Sequence, residues 1–460
     1  MSTPTPGRRA ATRPRRRLDV TTLLALALPL VVAAVLAVVR PDTAGVAQHA
    51  PRSVALDRLT LACPSALDGK EAAQTELGVT APAAGSVTVG DTAVEVGADA
   101  VTSAPAPNAP TAVTGTGDEA VGLVAALWST SPATGYDCAP PLADQWFTGV
   151  GAGPTHASVL ELVNPHPGPA VVDVDVLTDT GPLEVDDLRG ITVNGHDSRQ
   201  IDLSQVVPRD GVMALHAVVA RGQVGIAVRD RGERLTGGVS TEDWLPAQAA
   251  PATTDLMLGV QPGSGRHTLA IANGGDDQVS ASLKLVTADS EFAPADTDPI
   301  DVPPHSIVSV VLDEVLGDPV AQDAVGLEVD ASGPVTTALR SVVDGDLSIL
   351  VPGGTVTGET TAIVPAGAKR LILAGADAVG VATVTARDAT GASLGEERVS
   401  LAPDKAGLYD IPEGAASVEV SPARTGLQGA VLATDGGSAV VRLRELPRTT
   451  PVPAVAQSRS

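Results

Sequence analysis

The stretch His156–Glu184, HASVLELVNPHPGPAVVDVDVLTDTGPLE, decides the fold. Apolar and polar residues alternate from Val159 to Val163 and again from Val171 to Leu177, with Asn164-Pro165 and Pro167-Gly168 between the runs. Alternation with period two marks a strand with one buried face, and Asn-Pro and Pro-Gly are turn formers, so the stretch reads strand, turn, strand. Two further strand patterns follow, ITVNGHDSRQIDL (Ile191–Leu203) and ALHAVVARGQVGIAVRD (Ala214–Asp230), the second hinged at Arg221-Gly222.

The same order returns downstream. HTLAIANGGDDQVSASLKLVTADSEF (His267–Phe292) is followed by IDVPPHSIVSVVL (Ile300–Leu312) and VGLEVDASGPVTTALRS (Val325–Ser341), with Asn164 and Asn273, and Gly222 and Gly333, at equivalent places. A looser third copy runs from Arg370 to Thr434. Six or seven short strands per unit, rich in Val, Ile, Leu and Thr, predict an all-β fold of tandem immunoglobulin-like β-sandwiches. A closed β-propeller built from sub-blades is the alternative, set second because propeller blades usually repeat every 40–50 residues or so and no such period stands out. Leu56–Gly151 differs from the repeats: it holds both cysteines, the strand-like GSVTVGDTAVEVG (Gly85–Gly97) and the apolar AVGLVAALWS (Ala120–Ser129), and reads as a separate β module.

Upstream, Arg8, Arg9, Arg13, Arg15, Arg16 and Arg17 run into the apolar segment Leu18–Val39, at 1.5 Å per residue about 33 Å of helix and enough for a bilayer core. The arginines belong on the cytoplasmic side, which predicts a single-pass anchor with the C-terminal body outside. Secretion after signal cleavage near Gly45-Val46-Ala47 is the alternative. Along the chain this predicts a basic stub (1–17), a transmembrane helix (18–39), a stalk (40–56), a disulfide-linked N-terminal β module (57–150), three sandwich repeats (151–245, 246–355, 356–446) and a disordered tail (447–460).

The formal net charge is −24, and six of the 30 basic residues lie in the stub, so the body is more acidic still. Such a body repels nucleic acid and anionic headgroups, which excludes nucleic-acid binding. Cys63 and Cys138 are the only cysteines, and an even count in an exported chain predicts a disulfide. Cys63 as a lipidated residue fails, because it lies far beyond the apolar run and Thr60 stands where a lipobox leucine belongs.

LACP around Cys63, the later cysteine, DQWFTG (Asp144–Gly149), LELVNP (Leu160–Pro165) and STEDWLP (Ser240–Pro246) together resemble an uncharacterised family of actinobacterial membrane-anchored or secreted surface proteins. That resemblance covers most of the body, implies an exported protein of unknown function, and transfers no catalytic residue.

Motifs for chemistry are scarce. GASLG (Gly391–Gly395) matches a nucleophile elbow, but Ser393 falls between two strand patterns and no histidine follows His305, so it reads as a hairpin turn. The seven histidines show no metal-ligand spacing. The paired acids Asp173/Asp175 lie on one strand face, while Asp276-Asp277 and Asp344/Asp346 lie in turns, where weak calcium binding is the sharper reading. Trp146, Phe147 and Trp244 lie at repeat boundaries, as junction fillers or as a ligand platform. No catalytic, metal or cofactor-binding residue is assigned, and no cofactor is expected. The expected function is a non-enzymatic structural or protein-interaction module of the bacterial envelope, with envelope proteins or cell-wall polymers as partners. Cell-wall carbohydrate binding is the alternative, and an unrecognised hydrolase stands behind it.

Overall fold

The two alternating runs of the quoted stretch form the strands His156–Val163 and Ala170–Thr178. They do not pair with each other. In a computed structural model, which describes residues 27–32, 34, 52–67, 75–207, 211–232, 241–295, 297–367, 369–434 and 437–452, they face each other across an apolar core. Leu160 and Leu162 from one and Val172, Val174 and Val176 from the other are all buried in it. In Ala170–Thr178 alternation places every second residue inward, whereas His156–Val163 is buried on both faces from Leu160 to Val163, Glu161 included.

This unit (blade II) is a nine-stranded sheet in two layers, joined where Gly153 pairs with His156. One is ordered Gly181–Leu183, Ala170–Thr178, Val212–Arg221, Asp144–Gly153; the other Ser198–Asp202, His156–Val163, Gly225–Gly232, Thr241–Leu245. Three more units repeat that order, and the N-terminal segment is one of them. Blade I pairs Arg58–Cys63, Thr111–Thr116, Gly85–Val89 and Thr92–Val96 in one sheet, and Thr102–Pro105, Glu76–Thr80, Val124–Thr130 and Ala133–Asp137 in the other. Blade III fuses two strands into the 18-residue Gly326–Val343, whose first half serves one sheet and whose second half serves the other. Blade IV runs from Thr360–Ile363 to Ala439–Arg442.

The last strand of every unit lies on the inner edge of its second sheet. These inner strands, Ala133–Asp137, Thr241–Leu245, Asp346–Leu350 and Ala439–Arg442, gather at a common centre, so the four units are arranged like the blades of a β-propeller. Blade I meets blade IV through a parallel bridge between Ala133 and Gly437. The approach is so close that a Cβ on Gly135 would lie 2.9 Å from the Val440 carbonyl oxygen, which explains a glycine in a buried strand. At the rim, the Leu56 N–H donates to the Arg448 carbonyl at 3.1 Å and ties the ends of the compact unit Ala55–Thr450 together.

Two expectations are corrected. The repeats are not immunoglobulin-like: an immunoglobulin sheet sets the first strand beside the second, whereas in blades I and IV the first pairs with the sixth and the second lies in the other sheet. Strand count and spacing match both arrangements, and only the pairing separates them. The single-pass membrane assignment is overturned as well, because no helix among the described residues is long and apolar enough to cross a membrane. Within Leu18–Val39 helix is described only at 27–32 and 34, while the stub, the rest of that segment and most of the stalk and tail lie outside the described residues. The end of the expected stalk, Arg52–Ala55, and the start of the expected tail, Thr449–Val452, are strands that pair with each other.

Cys63 and Cys138 form the disulfide, with Cα atoms 4.8 Å apart. It joins the end of blade I's first strand to the residue after its inner strand, next to mutual backbone bonds between Ala62 and Ala139. The bridge closes a loop with a sequence separation of 75. Replacing both cysteines by serine is expected to lower stability by about 4 kcal/mol through the freed loop entropy. The check is the urea midpoint of the oxidised wild type against the double variant, and equal midpoints would contradict it.

Candidate functional site

The short sequence motifs converge at the seam between blades I and II. Ser65, two residues after Cys63, donates its N–H and its hydroxyl to Glu161 of LELVNP at 2.8 and 2.6 Å. Gln200 Nε2 donates to the same carboxylate at 2.9 Å, and Glu161 is fully buried. Trp244 of blade II's inner strand enters the core of blade I, stands edge-on to Tyr136 and donates its indole N–H to the Ser65 carbonyl at 3.1 Å. Cys63, Cys138 and Trp244 therefore share one core, in which burial pushes the Tyr136 hydroxyl far above its ordinary range. Trp146 and Phe147 lie elsewhere. Phe147 is wholly inside blade II, while Trp146 stacks on His216 at 4.2 Å and reaches the apolar seam with Ala270, Ala272 and Ile307 of blade III.

The centre of the ring is polar. Asp137, at the end of blade I's inner strand, accepts from Arg442 Nε at 2.8 Å and from Arg444 Nε at 2.9 Å, both of blade IV. Burial pushes the Asp137 carboxyl up, but the two guanidinium groups outweigh it and hold the group below the usual carboxylate range. Arg442 also donates to the Pro352 and Ala247 carbonyls at 3.1 and 3.4 Å, so one side chain touches the segments leaving blades II and III as well.

Asp243 on blade II's inner strand accepts from the Ile349 N–H of blade III at 2.8 Å, from the Trp244 N–H, and from the Thr134 hydroxyl of blade I. Burial pushes its carboxyl well above the ordinary range in spite of those bonds. Asp346 on blade III accepts from the Ser438 N–H of blade IV at 2.9 Å, and burial raises it to about 6. Every inner strand is thus stitched to its neighbours by buried polar groups.

Two clefts open at opposite ends of the inner strands. One, about 340 Å³, lies where the strands end, among Asp137, Arg442, Arg444, Gln248, Asp255 and the Gly353-Gly354 loop. Gln248 Nε2 donates to both Asp255 oxygens at 2.9 and 3.1 Å and the Thr337 hydroxyl donates at 2.9 Å, yet burial still pushes Asp255 up to about 7. Gln428 lines the same cleft, and its buried side-chain oxygen has no hydrogen-bond partner among the described residues. The second cleft, of the same volume, lies where the inner strands of blades III and IV begin.

Serine, histidine and aspartate do meet once, at Ser158, His156 and Asp230. Here the aspartate is central: Ser158 Oγ donates to it at 2.6 Å, His156 Nε2 lies 2.8 Å away, and Arg340 Nε adds a bond at 3.1 Å. Nucleophilic catalysis needs the histidine against the serine, and Ser158 is fully buried, so the cluster is a structural joint between blades II and III. Ser393 opens an exposed strand after a turn in which Asp388 Oδ1 accepts from Thr390 and Ala392 N–H groups, without an elbow. Among the described residues no three of His, Cys, Asp and Glu gather as metal ligands. The buried charge pairs at the centre escaped sequence reading because their partners are more than 300 residues apart and belong to no motif.

Compared with known proteins, residues 96–412 match a family described only as a family of unknown function (DUF5719), a match that covers more than half of the chain and extends from blade I into blade IV. No curated protein matches.

The raised carboxyls set a pH dependence. Asp255 and Asp346 hold protons in the folded state up to about 7 and about 6, whereas the unfolded chain releases them near pH 4. Stability therefore rises as pH falls from about 7 to about 4, and Asp137 and Asp230, held low by their cationic partners, withdraw theirs only below that window. Asp243, also pushed up by burial, acts in the same direction, so denaturant unfolding is expected to show a gain of at least about 2 kcal/mol between about pH 8 and pH 5, reduced in Asp255→Asn. A wild-type profile flat over that range would refute the assignment.

Proposed function

The chain belongs to this family of unknown function, and from that premise we propose that it is a non-enzymatic interaction module whose partner is a protein received at the end of the inner strands. The observation that carries the reading is the commitment of the central polar groups. The carboxylates and guanidiniums at the axis are spent on holding one blade to the next, and the Ser158 hydroxyl bonds a carboxylate instead of a base. The cleft beside Arg444 and Gln428 has the size of a ligand pocket and lies on a rigid frame of strand ends.

Wall polysaccharide is disfavoured as the partner. Trp128, Trp146 and Trp244 are all buried, as are Tyr136, Tyr409 and Phe147, so these rings offer no exposed platform for a sugar. The acidic surface favours a partner carrying basic groups over nucleic acid. A photoreactive side chain at Thr355, exposed in the cleft, is expected to give one dominant protein adduct that is absent from the same probe at Val379, exposed on blade IV. Identical adduct patterns from both positions, or glycan attached at Thr355, would contradict the proposal.

A further inference from the structure

The second cleft has a composition unlike the first. Among the described residues its lining includes Asp344, Asp346, Ser348 and Ser438 and no lysine, arginine or histidine. Ser438 is 3 % exposed, and its hydroxyl is buried without a hydrogen-bond partner although its own N–H is bound to Asp346. An unmet hydroxyl in a buried setting is a cost that proteins rarely leave standing, and here it lies in the wall of an open cleft of about 340 Å³. Gly437 beside it leaves no side chain in the way: a Cβ there would lie 2.2 Å from Asp346 Oδ2.

We propose that this cleft, between the starts of the inner strands of blades III and IV, binds a protonated primary amine such as a lysine side chain. Asp346 and Ser438 hold the ammonium, and Asp344 stands at the mouth. An ammonium offers three donors around a point charge and takes single oxygens from several groups. Asp346 already accepts the Ser438 and Ala133 N–H groups, which leaves about half of its lone-pair sites for a ligand and favours the single contacts of an ammonium over the paired bonds of a guanidinium fork. Two carboxylates fall short of the six to eight or so oxygens of a calcium site. Burial without a cationic neighbour holds Asp346 at about 6, and a bound ammonium supplies the missing positive charge. The Asp344/Asp346 pair, read from sequence as turn residues, gains a role here. The site is separate from the cleft at the strand ends, so either reading can fail alone.

The test is titration of the full chain with N-acetyl-lysine methylamide, followed by calorimetry and ligand-observed NMR at about pH 7.5, where the amine is charged. The neutral norleucine analogue, the arginine analogue and calcium chloride are run beside it. The lysine probe is expected to bind and the norleucine probe not, with the arginine probe weaker by at least about threefold. Asp346→Asn should weaken binding by about tenfold or more and Ser438→Ala by a few-fold. Asp344→Asn, at an exposed turn position that cannot unfold the chain, should weaken it measurably, and thermal melts check that all variants are folded. Equal binding of lysine and norleucine probes, calcium binding in place of the amine, unchanged affinity in folded Asp346→Asn and Asp344→Asn, or no binding at all would each overturn the proposal.

Discussion

Closing four sheet units into a ring requires that the last unit find the first, and the chemistry for this is the buried meeting of Asp137 with Arg442 and Arg444. The three residues come from opposite ends of the compact unit, more than 300 positions apart. Bringing them together costs loop-closure entropy, and burying them costs hydration. A buried ion pair contributes little net stability compared with a well-packed apolar contact of the same size. Its effect is on choice: only blade I ends its inner strand with a carboxylate, and only blade IV answers with two guanidiniums. Leaving either partner alone strands a charge, so a misassembled ring is penalised heavily.

The same logic runs around the axis. Asp243 binds blade II to blades I and III, Asp346 binds blade III to blade IV, and Asp230 joins blades II and III through Arg340. Apolar seams add area at Trp146 and Trp244. The polar groups supply direction, because hydrogen bonds fail with small displacements whereas apolar contacts slide. A chain this acidic must still bury several carboxyls to build its centre, and it does so by pairing some with arginine and keeping others protonated. The ring is thereby tuned to be firmest in mildly acidic solution.

Much of this was legible in the sequence, and what was missed has a physical cause. Alternation in Val171–Leu177 and Val159–Val163 identified both strands, and in Val171–Leu177 also the inward residues, because burial on one face writes itself into a period of two; Glu161 is buried against that pattern. Asn164 and Asn273 marked equivalent turns, and each amide does bridge its turn and a neighbouring strand in the same way. Cys63 and Cys138 pair as expected. Blade I went unrecognised as a copy because it lacks that asparagine and some of its strands are short and exposed, as in Thr92–Val96 and Thr102–Pro105. The choice between separate sandwiches and a ring was out of reach, since alternation states which face is buried and not which strand lies beside it. The central charges stayed hidden for the same reason: Asp346 reads as a turn residue, Asp137 and Asp243 belong to no motif, and their partners come from other blades only in the folded ring.

The central claim is that the contact between the first and last blades holds the ring, and a double-mutant cycle tests it most directly. Urea unfolding of the wild type, Asp137→Ala, Arg442→Ala and the double variant isolates their coupling. The expected result is a loss of about 3 kcal/mol or more in each single variant and a coupling energy of at least about 2 kcal/mol, with the double variant little worse than either. Additive losses below about 0.5 kcal/mol each, within the range of ordinary surface substitutions, would show that the ring closes without this pair and would contradict the account.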